Sequence, residues 1–337
     1  MKRHWLKWTT AGLCLLLFIA IALNLNNVSG IDAAVYGLVS QWHCAPATEF
    51  FKACTLMVGP IVLLAISLTL VFILPKKEYR IPVLLNLSVA ILLNLGLKHT
   101  FTRARPTDVL QIITETGYSF PSGHTMAATC FYGFLIYLVW HLCRNKALRN
   151  AVAALLSVLI ALVGISRIYL GVHYFTDVFA GVCISIFYLI VFTSLVNRFF
   201  TLEESPRPRR LVPTERNQLL FSFVFAFEGV LSGLRSERNM LIHFSAMATV
   251  IVFGALLSIS KMEWIACVIL FGVVFMAELM NTAIETIVDI ICPETDPRAK
   301  LAKDTAAGAV LMAAIAAAVV GAIIFVPKIL DLLLTEL

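Results

Sequence analysis

The sequence predicts an all-α integral membrane protein, with about nine transmembrane helices divided six and three between two domains. Three observations carry that prediction. The chain is 60% hydrophobic and only 14% charged, where soluble domains are roughly 45–50% apolar. Apolar runs recur at lengths that cross a hydrocarbon core of about 30 Å, which takes about 20 residues of helix. The basic residues fall in short loops between those runs, so the net charge of +6 is a topology signal rather than a nucleic-acid-binding face.

In chain order the spans are expected at about 10–28, 55–74, 81–97, 124–142, 151–166, 178–197, 241–258, 265–287 and 306–327. Lys2, Arg3 and Lys7 before the first run also fit a signal peptide, but no clear small-x-small cleavage site follows, and the run reads as a span. One alternate set of loops holds those three residues, then Lys76, Lys77 and Arg80, then Arg144, Lys146 and Arg149, then Arg198, Arg207, Arg209, Arg210 and Arg216. The positive-inside rule places that set and the amino terminus in the cytoplasm, and the carboxyl terminus outside. The membrane is expected to be a bacterial inner membrane. Eight cysteines lie mostly inside apolar runs, where they act as small hydrophobes. Cys44 and Cys54 fall on the outer side, where an oxidising compartment allows a disulfide between them.

The composition changes sharply at Thr201–Asn217, with three prolines and four arginines. That stretch reads as a cytoplasmic linker, residues 201–217, between a first domain at 1–200 and a second at 218–337. After it, Leu219, Phe223, Phe227 and Val230 fit an amphipathic helix over Gln218–Leu234, lying on the membrane surface.

Three polar patches interrupt the first domain, all on the outer side. They are Lys98 to Arg105-Pro106, Pro121-Ser122-Gly123-His124, and Ser166-Arg167 followed by His173 and Asp177. This is an inventory for phosphoryl transfer through a covalent histidine: cations for the oxygens, one imidazole to attack and one to protonate the leaving oxygen. Lys98, Arg105 and Arg167 would neutralise phosphate. Ser122 and Gly123 precede the fourth span, whose amino-terminal N–H groups can face an anion. His173 and Asp177 are four apart, which on a helix places the carboxylate to orient the imidazole. Taken singly, each piece fits a structural role, a lone buried histidine or a cation snorkelling to the interface. Together they point to a site.

These patches resemble the three signature motifs of the type 2 phosphatidic acid phosphatase family, shared with vanadium haloperoxidases, over roughly residues 50–197. The resemblance implies that His173 is the nucleophile, Asp177 its orienting partner and His124 the general acid. It implies that Lys98, Arg105, Ser122, Gly123 and Arg167 bind the substrate phosphate, with no cofactor.

The eighth span carries Glu278, Asn281, Glu285 and Asp289, whose offsets of three, seven and eleven make one stripe on a 3.6-residue helix. A carboxylate at the centre of a spanning helix costs about 2.5–3.5 kcal/mol on insertion scales, so three on one helix argue for a site. A polar seam between helices is the structural alternative. Glu237, Arg238 and Asn239 precede the seventh span, and Lys303 and Asp304 open the ninth. Glu237 and Glu285 are hard oxygen ligands for a divalent cation and Lys303 is a counter-charge for phosphate, which makes a nucleotide site without a glycine-rich loop.

This half resembles the three-span prokaryotic diacylglycerol kinase family over about residues 218–330. ERNMLIH at 237–243 looks closer to the undecaprenol kinase branch, because the diacylglycerol kinase branch has an acidic residue at the place of His243. The resemblance implies ATP and Mg2+, with Glu278 as general base on the lipid hydroxyl and Glu237 and Glu285 on magnesium. Asn281, Asp289, Lys303 and Asp304 would support the nucleotide. Family members form trimers with shared sites, which implies a homo-oligomer, a homotrimer through this domain.

The expectation is therefore a six-helix phosphatase bundle followed by a surface helix and a three-helix kinase domain, acting on membrane lipids and ATP. A phosphatase undoing the kinase's product would make a futile cycle. The reading that avoids it has an outer undecaprenyl diphosphate phosphatase and a cytoplasmic undecaprenol kinase, both yielding undecaprenyl phosphate. The alternative enzyme reading is a phosphatidic acid or phosphatidylglycerophosphate phosphatase joined to a diacylglycerol kinase. An ion-conducting transporter would use Glu278 and Glu285 but leaves the outer His, Arg and Lys set without a role.

Overall fold

The computed structural model describes residues 2–25, 27–201, 218–236, 238–294 and 296–335, and among them every regular element is helical. Most of the linker at 201–217 lies outside the described residues. The chain divides into two compact units, Met1–Arg198 and Phe199–Leu337. Among the described residues, eight helices are long and apolar enough to cross a membrane, or nine crossings when one bent pair is counted as a span.

The first unit contains α1 (Lys2–Leu23), α2 (Ser29–Ser40), α3 (Ala45–Leu56), α4 (Pro60–Ile73), α5 (Arg80–Phe101), α6 (Gly123–Leu142), α7 (Lys146–Tyr169) and α8 (Phe175–Val196). The straight span expected at 55–74 is instead the pair α3 and α4, bent by 48°. Pro60 is the reason: it has no N–H to continue the ladder and holds Gly59 extended, so a new helix starts there. Helices α2 and α3 occupy a stretch read as loop, because each is only 12 residues and neither is apolar throughout. α5 continues past its apolar run through Lys98, His99 and Thr100 and stops at Thr102, whose φ of 45° is left-handed.

Cys44 is the N-cap of α3 and Cys54 lies inside that helix, and both are free thiols. Ten residues of helix separate them by about 15 Å, beyond the roughly 7 Å that a disulfide spans. The disulfide that an outer location leaves open is thus excluded by the helix between the two thiols.

Phe18 of α1, Phe120, Met126 of α6 and Cys183 and Ile184 of α8 form one buried cluster. Val39, Phe51, Tyr169 and Val178 form another, which closes α2 and α3 over the end of α7. There the Tyr169 hydroxyl accepts from the Cys44 N–H at 3.2 Å and pairs with Thr48 at 2.9 Å. The other end of α7 turns Leu148, Leu155 and Val158 outward, as a lipid-facing surface does. α5 packs on α6, and α6 on α7 and α8. In this up-and-down order the ends bearing Lys98, Ser122, Arg167 and Asp177 gather at one end of the bundle, and Arg80, Lys146 and Arg198 lie at the other.

The second unit contains α9 (Gln218–Ser236), α10 (Arg238–Leu256), α11 (Lys261–Ile291) and α12 (Pro297–Thr335). α9 exposes Phe223, Phe225, Phe227 and Val230. Ser260 and Glu263 cap α11 reciprocally: Glu263 N–H donates to Ser260 Oγ at 3.3 Å, and Ser260 N–H to Glu263 Oε2 at 2.6 Å. α11 and α12 pack along one another, with Ala306, Val310, Ile324 and Phe325 of α12 buried.

Candidate active sites

His173 and Asp177 do not share a helical face, as their spacing suggested. His173 precedes α8, Tyr174 is its N-cap, and Asp177 reaches back to accept from the Tyr174 N–H at 3.0 Å. Free N–H groups at a helix start attract such a carboxylate, and the same oxygen lies 3.4 Å from His173 Nδ1. The Ser119 hydroxyl also donates to Asp177 Oδ2. Arg103 donates to Asp177 Oδ1 at 2.6 Å and to Asp32 Oδ2 of α2 at 2.9 Å. Asp32 in turn accepts from the Thr176 N–H at 2.9 Å and its hydroxyl at 3.0 Å.

With Nδ1 facing the carboxylate, the His173 proton belongs on that nitrogen and Nε2 carries the lone pair. Arg105 Nη1, which can only donate, lies 3.2 Å from Nε2. Burial pushes the His173 imidazole down to about 4, outweighing the pull of Asp177 in the opposite direction. The ring is neutral at physiological pH.

The remaining phosphate-binding candidates face the same place. Arg105 is fixed by the carbonyls of Thr116, Gly117 and Val172 at 3.0, 3.1 and 2.9 Å. Arg167 is fully buried and reaches Thr55 Oγ1 at 3.3 Å. Lys98 is close enough for its charge to act on Glu115 and Asp177. Ser122, the N-cap of α6, is buried, accepts from the Thr125 hydroxyl at 3.0 Å, and donates its N–H to the Asp177 carbonyl at 3.1 Å. That N–H therefore ties α6 to α8 instead of facing an anion, as its place before the span suggested. Gly123 begins α6, and a Cβ there would lie 3.0 Å from Asn94 Oδ1.

Glu115 was not legible as a site residue. It contacts Arg167 Nη2, lies 3.1 Å from Arg105 Nη2, and stands 3.9 Å from His124 Nδ1. Burial acts to raise its carboxyl, but Arg167, His124, His173 and Arg105 together hold it down at about 2. Arg103 was legible as a member of the first patch without a role, and Asp32 and Ser119 gave no signal because only the folded chain brings them to Asp177.

In the second unit, α11 buries Glu278 completely and Asn281 nearly so. Neither Glu278 oxygen has a hydrogen-bond partner among the described residues, nor has Asn281 Oδ1. His243 Nε2 of α10 is 3.9 Å from Glu278 Oε2. One turn on, Asn281 Nδ2 donates to Glu285 Oε1 at 3.1 Å. Asp289 forms an ion pair with Lys303 of α12, and Asp289, Lys300, Lys303 and Asp304 line a cavity of about 610 Å³ between the end of α11 and the start of α12. The stripe thus runs from a buried carboxylate to an open cavity whose lining sets Lys300 and Lys303 among Asp289, Glu294, Asp296 and Asp304. Glu237 lies outside the described residues. Among those described, no group of three His, Cys, Asp or Glu side chains is arranged to hold a metal. The donor set still fits Mg2+, which takes one or two carboxylates and completes its shell from phosphates and water: Glu285 and the unpartnered Asn281 oxygen are hard donors.

Comparison with known proteins divides the chain the same way. The family model described as the PAP2 superfamily matches residues 80–201, and that of prokaryotic diacylglycerol kinase matches residues 224–325. Undecaprenol kinase of Bacillus subtilis (strain 168) is 43% identical over 115 residues, 34% of this chain and 94% of that protein. Phosphatidylglycerophosphatase B of the same organism is 33% identical over 193 residues, 54% of this chain and 93% of that protein. Diacylglycerol kinase of Synechocystis sp. is 39% identical over 116 residues, 34% of this chain and 66% of that protein. A crystal structure of a transmembrane PAP2-type phosphatidylglycerolphosphate phosphatase from Bacillus subtilis superposes with a TM-score of 0.51 at 28% identity, covering 58% of this chain and 98% of that one.

Proposed function

Because the chain belongs to the PAP2 superfamily through residues 80–201 and to the prokaryotic diacylglycerol kinase family through residues 224–325, and so joins a lipid phosphatase to a lipid kinase, we propose that both activities supply undecaprenyl phosphate. The phosphatase would hydrolyse undecaprenyl diphosphate on the outer face of a bacterial inner membrane. The kinase would phosphorylate undecaprenol on the cytoplasmic face. The observation that carries this reading is the 43% identity of the kinase half to an undecaprenol kinase. A shared product also removes the futile cycle that opposed activities would create.

In the phosphatase, His173 Nε2 attacks the terminal phosphorus, and the bond to the leaving oxygen breaks as His124 gives that oxygen a proton. Asp177 holds the Nδ1 proton and steadies the cationic ring that results. Lys98, Arg105 and Arg167 carry the charge on the phosphoryl oxygens, and Ser122 and Gly123 form the turn beneath them. A water, deprotonated by His124, then cleaves the phosphohistidine and frees inorganic phosphate.

In the kinase, Glu278 takes the proton of the lipid hydroxyl as that oxygen attacks the γ-phosphorus of ATP and ADP departs. Neither Glu278 oxygen has a hydrogen-bond partner among the described residues, which leaves both able to receive that proton. Lys303, with Asp289, Asp304 and Asn281, positions the nucleotide at the cavity. Glu285 and Glu237 would hold Mg2+, which supplies charge neutralisation at the phosphates. A homotrimer through residues 218–337 belongs to this reading, as the resemblance to the three-span kinases implies.

Similarity to phosphatidylglycerophosphatase B favours a second reading for the outer site, a phosphatidylglycerophosphate phosphatase. Purified protein assayed on undecaprenyl diphosphate, phosphatidylglycerophosphate and phosphatidic acid, and with ATP on undecaprenol and diacylglycerol, separates the two. Preference for prenyl lipids in both assays supports the shared product. Preference for glycerolipids in either sinks it for that half.

A further inference from the structure

We infer that Glu115 is a built-in competitor for the phosphate cradle, which excludes singly charged phosphodiester headgroups and admits phosphomonoester dianions and terminal diphosphates. The inference rests on the phosphatase reading above and concerns what that site refuses.

Glu115 places one carboxylate oxygen on Arg167 and the other 3.1 Å from Arg105. Those two guanidiniums are the cations assigned to substrate, and a carboxylate bridging them presents two oxygens much as a phosphoryl group does. Substrate and Glu115 therefore exclude each other. His124, 3.9 Å from the same carboxylate, faces the competitor as it would face the leaving oxygen.

The geometry lets the side chain leave while its cations stay. Glu115 belongs to the connection between α5 and α6, not to a helix. The next two carbonyls, those of Thr116 and Gly117, accept from Arg105 at 3.0 and 3.1 Å. The backbone beside Glu115 is thus pinned to Arg105, and rotation about its own side-chain bonds is enough to clear the cradle.

The setting makes such a competitor useful. A cationic cleft at a membrane face meets a dense layer of lipid phosphates, most of them diesters of charge −1. A tethered carboxylate competes at an effective concentration of order millimolar or above. Exchange of one single charge for another gains nothing electrostatically, whereas a dianion gains a second interaction with both guanidiniums and Lys98. The cradle is thereby kept from becoming a general anion trap.

The test is calorimetric binding of tungstate, a tetrahedral dianion, to the full-length wild type, Glu115→Gln and Glu115→Asp, with methyl phosphate and dimethyl phosphate as displacing ligands. None of this needs turnover. Glu115→Gln should bind tungstate at least about tenfold more tightly, and the preference for methyl over dimethyl phosphate should shrink by a similar factor, as the loss of one charged contact allows. Glu115→Asp should stay near wild type. Unchanged or weaker tungstate binding by Glu115→Gln that melts like wild type overturns the inference, as does an unchanged ligand preference. Should both variants fail to fold, the wild type decides: equal displacement by the two methyl esters overturns the inference, and a clear preference for the dianion supports it. A wild type that binds tungstate and hydrolyses no phosphorylated lipid ends the phosphatase reading and leaves the competitor standing as a property of the site.

Discussion

Arg105 donates toward His173 Nε2 at 3.2 Å, so the nitrogen assigned to attack phosphorus is touched by one of the cations assigned to bind the phosphate. On the proposed reading binding and activation meet at that contact, because substrate oxygens would compete with Nε2 for the same Arg105 N–H. Arg105→Lys keeps the charge but loses the fork. Its kcat should fall by about tenfold or more, with a smaller change in KM, measured as phosphate release from the preferred lipid.

The two chemistries should separate by mutation. His173→Ala should lower phosphate release by about a thousandfold or more, and Glu278→Ala should lower transfer from ATP by about 10²–10⁴. Each should spare the other activity. Parallel assays of release and of radioactive incorporation check this, and loss of both activities from either change would show that the assignment of residues is wrong.

Acid should act through His173 in two ways. Its imidazole titrates near 4 in the folded protein against about 6.5 in an unfolded chain. The neutral, attacking form therefore persists down to about pH 4, and the enzymic limb of kcat/KM set by this ring should lie there. Since the folded value is depressed, the unfolded chain binds the proton first, and stability is lost as pH falls from about 6.5 toward 4. Glu115, held at about 2, adds a loss in the same direction at lower pH. Thermal melts between pH 4 and 7 should show a falling Tm toward acid, flatter in His173→Gln.

Gly171 lies between Arg167 and His173 with a φ of +75°, and a Cβ there would fall 2.2 Å from the Leu110 carbonyl oxygen. Neither atom is the end of a flexible side chain. Gly171→Ala should destabilise by more than the roughly 1–2 kcal/mol of a left-handed alanine, and it should cost phosphatase activity because the Arg167 to His173 turn must widen. Melting temperature and phosphate release, read together, check it.

How much of this was legible follows from where the signals arise. Glu278, Asn281, Glu285 and Asp289 stood out because polar side chains are rare in a spanning helix and their spacing needs no tertiary information. Lys98, His124, Arg167 and His173 stood out because they interrupt apolar runs in a recognisable order. The His173 to Asp177 contact was right in its partners and wrong in its cause, since a helix start, not a helix face, brings them to 3.4 Å. Glu115 and Asp32 were silent: each is an ordinary loop or short-helix acid until Arg105, Arg167 and Arg103 arrive from other elements. Helices α2 and α3 were hidden by length, and the bend before α4 was written in Pro60 but masked by continuous hydrophobicity.

Arg103 has Asp177 on one side and Asp32 on the other, with its side chain 12% exposed. Removing one partner of such a buried pair costs about 3–5 kcal/mol. Asp32→Ala should lower the melting temperature and depress phosphate release without touching a catalytic group, and Asp32→Asn should recover part of both.

The same arrangement bears on where the phosphatase ends as a unit of inheritance. The stretch recognisable by family, residues 80–201, carries His173 and His124, proposed as nucleophile and acid, and the whole of the proposed cradle, yet Asp32 lies some fifty positions upstream of it. A graft or minimal fragment cut at that boundary would inherit Asp177 with a guanidinium neighbour, Arg103, moored on one side only. Anyone recombining such enzymes would need to move α2 together with the motifs, since the anchor of the active site is stored in a part of the chain that carries no signature of its own.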